Sequence, residues 1–338
     1  MSKRLLLWVI LLASTFHGQE FRASLSGEVT DSSGAPVPGA QVVVTNVLTT
    51  VTHEAVANEA GRYNVNFLQP GTYTLAVEKA GFKKFVRDRM TLEVSQHVSL
   101  DVRLEVGQLT ESVTVAGEVS LLQTESATRT HTIEMNLIQK TPNNGRNPFL
   151  LTHALPGVTK TGYWGSAELY AYGQVSGVSI SGGKVKENES LIDGVTDTRP
   201  SRDVNFIPAL DSLSEVSVQT NLYDAQFSRT GGGVNVFGTK SGTNQLHGAM
   251  YEHLKHEKLN ALGWANAKGL AELRAANPNG AQPNLKFRNN TYGAEFDGPL
   301  FIPKLFDGRN RVFFMISFEG LQERHPSGQT VTLPTADQ

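Results

Sequence analysis

The side chains of this 338-residue chain that could do chemistry fall into a few small groups. His253, His256 and Glu257, within HLKHE, could hold a metal if that segment were helical. Two histidines at i and i+3 with one carboxylate are, however, common on solvated faces, so no metal site is expected there. Asp193, Asp197 and Asp203 are close in sequence but lack the glycine and terminal carboxylate of a calcium loop, and they are read as hydrogen-bonded turn aspartates. Gly231, Gly232 and Gly233 are not followed by Lys-Ser/Thr at the start of a helix, so they do not make a phosphate cradle. His53, His97, His131 and His153 stand alone, and Arg146 is a single cation in a turn, expected to position the loop or face solvent. The chain has no cysteine, which removes disulfides, thiolate metal sites and CxxC redox chemistry. With no nucleophile, metal cluster or acid-base pair, the chain is not expected to be an enzyme, and no catalytic, cofactor-binding or metal-binding residues are assigned.

The elements that would position these groups are mostly strands. Glycine at 32 and proline at 14, with few long amphipathic helical patterns, favour a mainly β protein. Lys and Arg number 30 against 32 Asp and Glu, a net charge of -2, so no electrostatic footprint for nucleic acid is present. Residues 5–13 are an apolar run behind Lys3 and Arg4, too short to span a bilayer as a helix and suited to secretion; residues 1–19 are read as a signal peptide.

Residues 22–106 alternate as short strands between turn clusters. Leu25, Gly27 and Val29 lead into the turn DSSGAPVPGA; Gln41 to Val47 and Val51 to Ala57 follow, and NEAG turns the chain again. Tyr63, Val65 and Phe67 are expected on one face, as are Tyr73, Leu75 and Val77, while Val98, Leu100, Val102 and Leu104 alternate without a break. Six or seven strands make a small sandwich. GEVTDSSGAPVPGAQVVV followed by NEAGRYNVNFLQPGTYTLAVEKAGFKK is similar to carboxypeptidase regulatory-like, transthyretin-like modules. That resemblance implies an accessory sandwich without catalytic residues.

Further along, Ile133, Leu137 and Ile138 fall at helical spacing, and Asn147-Pro148 caps a second helix over Phe149 to Leu155 that Pro156-Gly157 ends. Val178 and Ile180 alternate with serines, residues 184–189 make a loop tip, and Ser190 to Val195 is a strand running into an Asp-Gly turn. Pro208 to Leu213 makes one helical turn and Glu215 to Thr220 a strand; Tyr223, Phe227 and Arg229 lie before the next strand, which alternates Val234, Val236 and Gly238 with Asn235, Phe237 and Thr239. IEMNLIQKTPNNGRNPFLLTHALPGV, SISGGKVKENESLIDGV and DSLSEVSVQTNLYDAQFSRTGGGVNVFGTKSGTN resemble successive parts of the plug domain of TonB-dependent outer-membrane transporters, in particular their Oar-like branch. The resemblance implies an α+β plug over residues 126–243, with residues 163–183 and Tyr223, Phe227 and Arg229 in loops against a barrel wall.

Past the SGTN turn the pattern changes to that of a membrane wall, assigned to residues 244–338. Tyr292, Ala294 and Phe296 alternate with Gly293, Glu295 and Asp297; Phe314, Ile316 and Phe318 alternate with Met315, Ser317 and Glu319. Aromatics outward leave the carboxylates in a wet lumen. About three strands are expected, too few to close a barrel, so the chain is read as a fragment or a truncated product.

In the linker, residues 107–125, the segment Glu111, Ser112, Val113, Thr114, Val115 and Ala116 resembles the TonB box of the transporter family, which adds as an edge strand to the energy-transducing partner. The alternative is that Val113 and Val115 finish the sandwich. The resemblance as a whole implies TonB with its inner-membrane partners, outer-membrane lipid and an unidentified transported substrate as partners. It implies no cofactor, and it places the protein in the outer membrane of a Gram-negative-type bacterium with its N-terminal domain in the periplasm. The competing function is a surface or periplasmic binding or adhesion module, carbohydrate-binding-like, without transport.

Overall fold

The computed structural model describes residues 20–108, 112–115, 127–134, 137–138, 146–160, 178–227, 229–259, 271–272 and 288–324. The expected signal peptide lies outside them. The chain divides into two compact units, Met1–Leu246 with Asp297–Met315, and His247–Phe296 with Ile316–Gln338.

The first unit opens with β1 (Ala23–Asp31), β2 (Gln41–Asn46), β3 (Thr52–Val56), β4 (Arg62–Leu68), β5 (Gly71–Glu78), β6 (Lys84–Leu92), β7 (His97–Ser99), β8 (Val102–Leu104) and β9 (Ser112–Val115). One sheet runs β3-β2-β5-β6-β9; the other runs β4-β1-β7, with β8 also on β1. Their inner faces bury Leu25, Val29, Val42, Val44, Tyr63, Val65, Leu75, Val77, Val98 and Val102 in one apolar core, the period-two pattern that a sandwich requires.

Three expectations need correction. Phe67 does not share a face with Tyr63 and Val65: a register shift against β1 between Ala23 and Leu25, with Phe67 at φ 63°, turns it outward at 54% exposure while Leu68 goes inside. Such a bulge inserts one residue and reverses the phase of the residues after it. Strand β6 escapes the alternation count because Arg87, Asp88 and Arg89 interrupt its apolar positions. The run from Val98 to Leu104 buries as expected but pairs as two short parallel strands on β1, broken at Leu100 and Asp101. There the Leu100 carbonyl accepts from the Tyr63 hydroxyl at 2.7 Å, and the Asp101 carboxylate accepts from the Glu28 N–H at 2.9 Å, so side chains answer groups the ladder leaves.

A mixed sheet comes next, built from β10 (Arg129–Glu134), β11 (Val158–Lys160), β12 (Val178–Ile180), β13 (Glu189–Ile192), β14 (Val195–Thr196), β15 (Leu213–Asn221) and β16 (Val234–Thr239). Its order is β10-β15-β16-β13-β14, with β11 and β12 paired separately. The helix expected at Ile133 is not formed: that residue lies in β10, opposite Val216, because Arg129–Glu134 is rich in β-branched side chains, Thr130, Thr132 and Ile133, and completes the sheet edge. Leu137 and Ile138 are helical as expected. The second helix is a 3-10 helix, Pro148–Ala154, whose N-cap Asn147 accepts from the Phe149 N–H at 3.0 Å. Asp193 and Gly194 both have positive φ, 47° and 76°, the two-residue hairpin turn expected between β13 and β14. Glu189 is not part of a loop tip: it opens β13 and is buried. Phe227 is likewise corrected from a wall-facing loop to the core under Val234 and Val236. Strand β16 is covered on both faces, so its alternation does not mark an exposed side.

Beyond it lie β17 (His247–His256), β18 (Arg288–Pro299), β19 (Phe301–Ile302), β20 (Phe306–Asp307) and β21 (Phe313–Arg324). Strands β17, β18 and β21 form a three-stranded sheet, and β19 and β20 a small hairpin.

Replacing Tyr63 with Phe keeps the ring in the core but leaves the Leu100 carbonyl short of a donor, and is expected to cost about 1–2 kcal/mol. A lower thermal midpoint for the sandwich transition in calorimetry checks this; an unchanged midpoint would remove the hydroxyl from the account.

Candidate functional site

The linker segment singled out by sequence is structured in its middle. Ser112–Val115 forms β9 and pairs in parallel with β6, Lys84 opposite Ser112, Phe85 opposite Val113, Val86 opposite Thr114 and Arg87 opposite Val115. Glu111 and Ala116 lie outside the described residues, and of the strand's side chains only Val113 is described, half-buried. Strand β9 is therefore the last strand of the five-stranded sandwich sheet. It is held by a four-residue parallel ladder, slightly weaker per residue than an antiparallel one.

The sandwich meets the mixed sheet through the turn before β7. Val94 leaves the sandwich core and enters an apolar cluster with Leu191, Phe227, Val234 and Val236, with Phe21 and Tyr223 packed on it. Its N–H donates to Glu215 Oε1 at 2.8 Å. Glu215 stands opposite Gly238, where a side-chain carbon would come within 3.0 Å of the Val94 methyl; glycine is what admits Val94 there. Burial pushes the Glu215 carboxyl up to about 8, the Val94 N–H opposes this, and the negative Glu93 and Glu134 add to it. Sequence reading missed both residues. The available signal was a carboxylate in LSEVSVQT, a strand otherwise built to be buried.

The other candidate side chains are drawn into local structure and not into one constellation. Asp193 accepts from the Thr239 N–H at 2.9 Å and its hydroxyl at 2.6 Å. Asp197 accepts from the Phe206 N–H at 2.8 Å, and burial raises its carboxyl to about 7. Asp203 pairs with Lys186 at 2.8 Å. Arg146 pairs with Asp211, a positioning contact between a loop and the 3-10 turn Leu210–Ser212. His97 is exposed and bonded to the Ser24 hydroxyl at 2.6 Å, and His53 lies on β3 with burial lowering its affinity for a proton. His256 lies 3.3 Å from Glu257, at the end of a strand and not on a helix. Among the described residues no group of three or more His, Asp or Glu is arranged to hold a metal. The glycine run at 231–233 admits a close approach: a side chain at Gly233 would collide with Ile180 and lie 2.7 Å from the Gln219 carbonyl oxygen.

In the second unit, the apolar side chains are turned out. Met250 is 90% exposed, Ile316 64% and Phe318 60%, with Leu254, Tyr292 and Phe296 also exposed. The intervening positions are polar and mutually bonded: Tyr251 donates to Glu319 at 2.8 Å, and Asn289 to Glu323 at 3.2 Å. Along β18 and β21 this is the pattern of a strand between lipid and a wet interior; on β17, Glu252 lies on the apolar face between Met250 and Leu254 and accepts from the Asn290 amide at 2.9 Å. Tyr292 and Phe318 pack across strands as a tilted pair with ring centres 6.3 Å apart.

Comparison with known proteins agrees with this division. Residues 24–105 match the carboxypeptidase regulatory-like domain, and residues 238–338 match an outer membrane beta barrel domain. The TonB-dependent transporter Oar of Myxococcus xanthus is 28% identical over 257 residues, which cover 72% of this chain and 23% of Oar. The chain thus spans about a quarter of that curated relative. Among solved structures, the siderophore receptor PirA of Pseudomonas aeruginosa aligns with a TM-score of 0.36 and 15% identity, over 58% of this chain and 29% of PirA. The outer membrane transporter YddB of Escherichia coli aligns at 0.38 with 17% identity, over 51% and 24%.

Glu215 makes the junction sensitive to pH. Its folded-state value, about 8 against an ordinary 4.5, means that the fold binds this proton more tightly than the unfolded chain does. The associated stability is fully present below about pH 4.5 and is lost as pH rises through about 8, on the order of a few kcal/mol in total. Glu215→Gln keeps an oxygen for the Val94 N–H and should flatten that part of the profile of thermal midpoint against pH. An equal slope in the variant would mean that other groups produce it.

Proposed function

We propose, starting from a chain that is related to a TonB-dependent transporter and joins a carboxypeptidase regulatory-like sandwich to an outer membrane beta barrel domain, that it is the N-terminal part of a TonB-energised outer-membrane transporter. In this reading residues 22–106 are a periplasmic sandwich, 107–125 a linker, 126–243 the plug and 244–338 the opening of the barrel. The observation that carries it is the alternation along β18 and β21 of uncovered apolar side chains with hydrogen-bonded polar ones. An adhesion module without transport has no use for such a face, which water would penalise.

The function is uptake of a substrate by movement of the plug, without covalent chemistry. Residues 111–116 serve as the TonB box, and β9 is the strand handed to the partner: its short ladder to β6 is exchanged for a ladder to a sheet edge of TonB. Tension on the linker then reaches β10 at Arg129. Strand β10 is the edge of the mixed sheet, and its register against β15 shifts between Arg129 and Thr130, so pulling opens the ladder from its least regular end. Removing that edge strand loosens the sheet without unfolding the barrel wall.

Two experiments test the parts separately. The 338-residue chain should bind the periplasmic domain of TonB, Val113→Pro should abolish that binding because a strand proline removes a ladder donor, and a disulfide between Phe85→Cys and Val113→Cys should block it until reduced. Wild-type binding by both variants would exclude β9 as the exchanged strand. For the wall, nitroxide labels at Ile316→Cys and Phe318→Cys in the membrane-inserted protein should be relaxed by oxygen, and labels at Ser317→Cys and Glu319→Cys by a water-soluble nickel chelate. The reverse pattern would overturn the barrel assignment.

A further inference from the structure

The mixed sheet places buried polar side chains beside an apolar row of the same face. Val216, Phe237 and Ile192 stand in one row across β15, β16 and β13, and the next row of that face is Val218, Asn235 and Ser190. Asn235 is only 5% exposed and Ser190 4%. The Asn235 Nδ2 lies 3.5 Å from the Ser190 Oγ, and its Oδ1 has no partner among the described residues. Whichever way the amide is turned, one of its two ends is unanswered. A buried amide end without a partner is costly, so its place in a row that valine or leucine would fill calls for an occupant.

That amide lines a narrow, partly open cleft of about 20 Å³, room for a group the size of a water or a hydroxyl, with Phe149 and Val204 among its apolar walls. Two cations also line the cleft, Lys186 and Arg202, and both are exposed. Each is held at positive φ, 69° and 65°, in a region that glycine adopts more readily. Both are anchored by one contact: Lys186 pairs with Asp203 at 2.8 Å, and an Arg202 Nη1 hydrogen goes to the Arg229 carbonyl at 2.6 Å. The charged side chains that line the cleft, Lys186 and Arg202, are thus both cations, with Asp203 and Glu187 beside them. The wall that bears Arg202 is a tight loop, closed by the bridge between Thr198 and Val204 and by the Asp197 carboxylate on the Phe206 N–H at 2.8 Å.

These groups set the chemistry of a fitting ligand. The mouth needs an anion, and a planar guanidinium favours an oxyanion with two oxygens. The amide inside needs a group that can both donate and accept, which a hydroxyl does. We propose that this cleft binds the head group of a small hydroxycarboxylate, its carboxylate at Lys186 and Arg202 and its hydroxyl at Asn235 and Ser190. The binding requires neither TonB nor a closed barrel, so it stands or falls separately from transport.

The test is saturation-transfer NMR on the full 338-residue chain with glycolate, with acetate and ethylene glycol as probes that lack the hydroxyl or the charge. Glycolate should bind saturably, and about tenfold more tightly than acetate, as expected for one added buried hydrogen bond. Ethylene glycol should not saturate. The double variant Lys186→Ala with Arg202→Ala, both on the exposed rim, should lose glycolate binding while keeping the wild-type circular dichroism spectrum, and Asn235→Leu should make glycolate and acetate equal. If Asn235→Leu does not fold, the ratio of glycolate to acetate in the unaltered chain and the rim variant decide. Equal binding of the two acids by the unaltered chain, no saturable glycolate binding, or binding that survives loss of both cations would each overturn the site.

Discussion

A strand edge is a row of backbone donors and acceptors, and each must find a partner in protein or water. Most of this molecule can be understood from how its edges are answered. On the sandwich, the β6 edge is covered by β9, a strand contributed by the linker. The break between β7 and β8 is filled by the Tyr63 hydroxyl and the Asp101 carboxylate. In the mixed sheet, β10 closes the side of β15 that would otherwise be open. The sheet of β17, β18 and β21 differs in that both of its outer strands are long and lack a further strand partner among the described residues. Lipid supplies none, so such a sheet is complete only as part of a closed wall.

The same constraint connects structure to the proposed function. An edge covered by a short, parallel, linker-borne strand is the easiest one to expose again. An edge covered by a long antiparallel strand deep in a core is not. On its β16 side, strand β15 belongs to the second kind, antiparallel and buried along most of its length, and it carries Glu215, where the sandwich is fastened by way of Val94. The arrangement therefore places a weakly held strand and a firmly docked turn on the same sandwich, with the mixed sheet beyond both.

Much of this was legible in the chain. Alternation found the core of the sandwich at Val42, Val44, Leu75 and Val77, the wall strands at Tyr292 to Phe296 and Phe314 to Phe318, and the Asp193-Gly194 turn. It failed where backbone geometry and not composition sets the phase. Phe67 has the spacing of an inward residue, and a single bulge reverses it. Ile133 fits a helical spacing, and an open edge at Val216 makes it a strand. Strand β6 hides behind Arg87, Asp88 and Arg89 because a charged run masks its alternation: Arg87 is buried while Asp88 and Arg89 reach solvent.

Outside β6 and β10, the sequence by itself determined which stretches bury a face and which present one to lipid, because there the side-chain period and local turn chemistry suffice. Only the tertiary structure decided which residues meet across the chain: Val94 with Glu215, Ser112–Val115 on β6, and Lys186 and Arg202 around Asn235. The physical reason is that register and sheet order are fixed by long-range ladders, and a ladder's backbone groups are the same whatever the side chains that identify the strands.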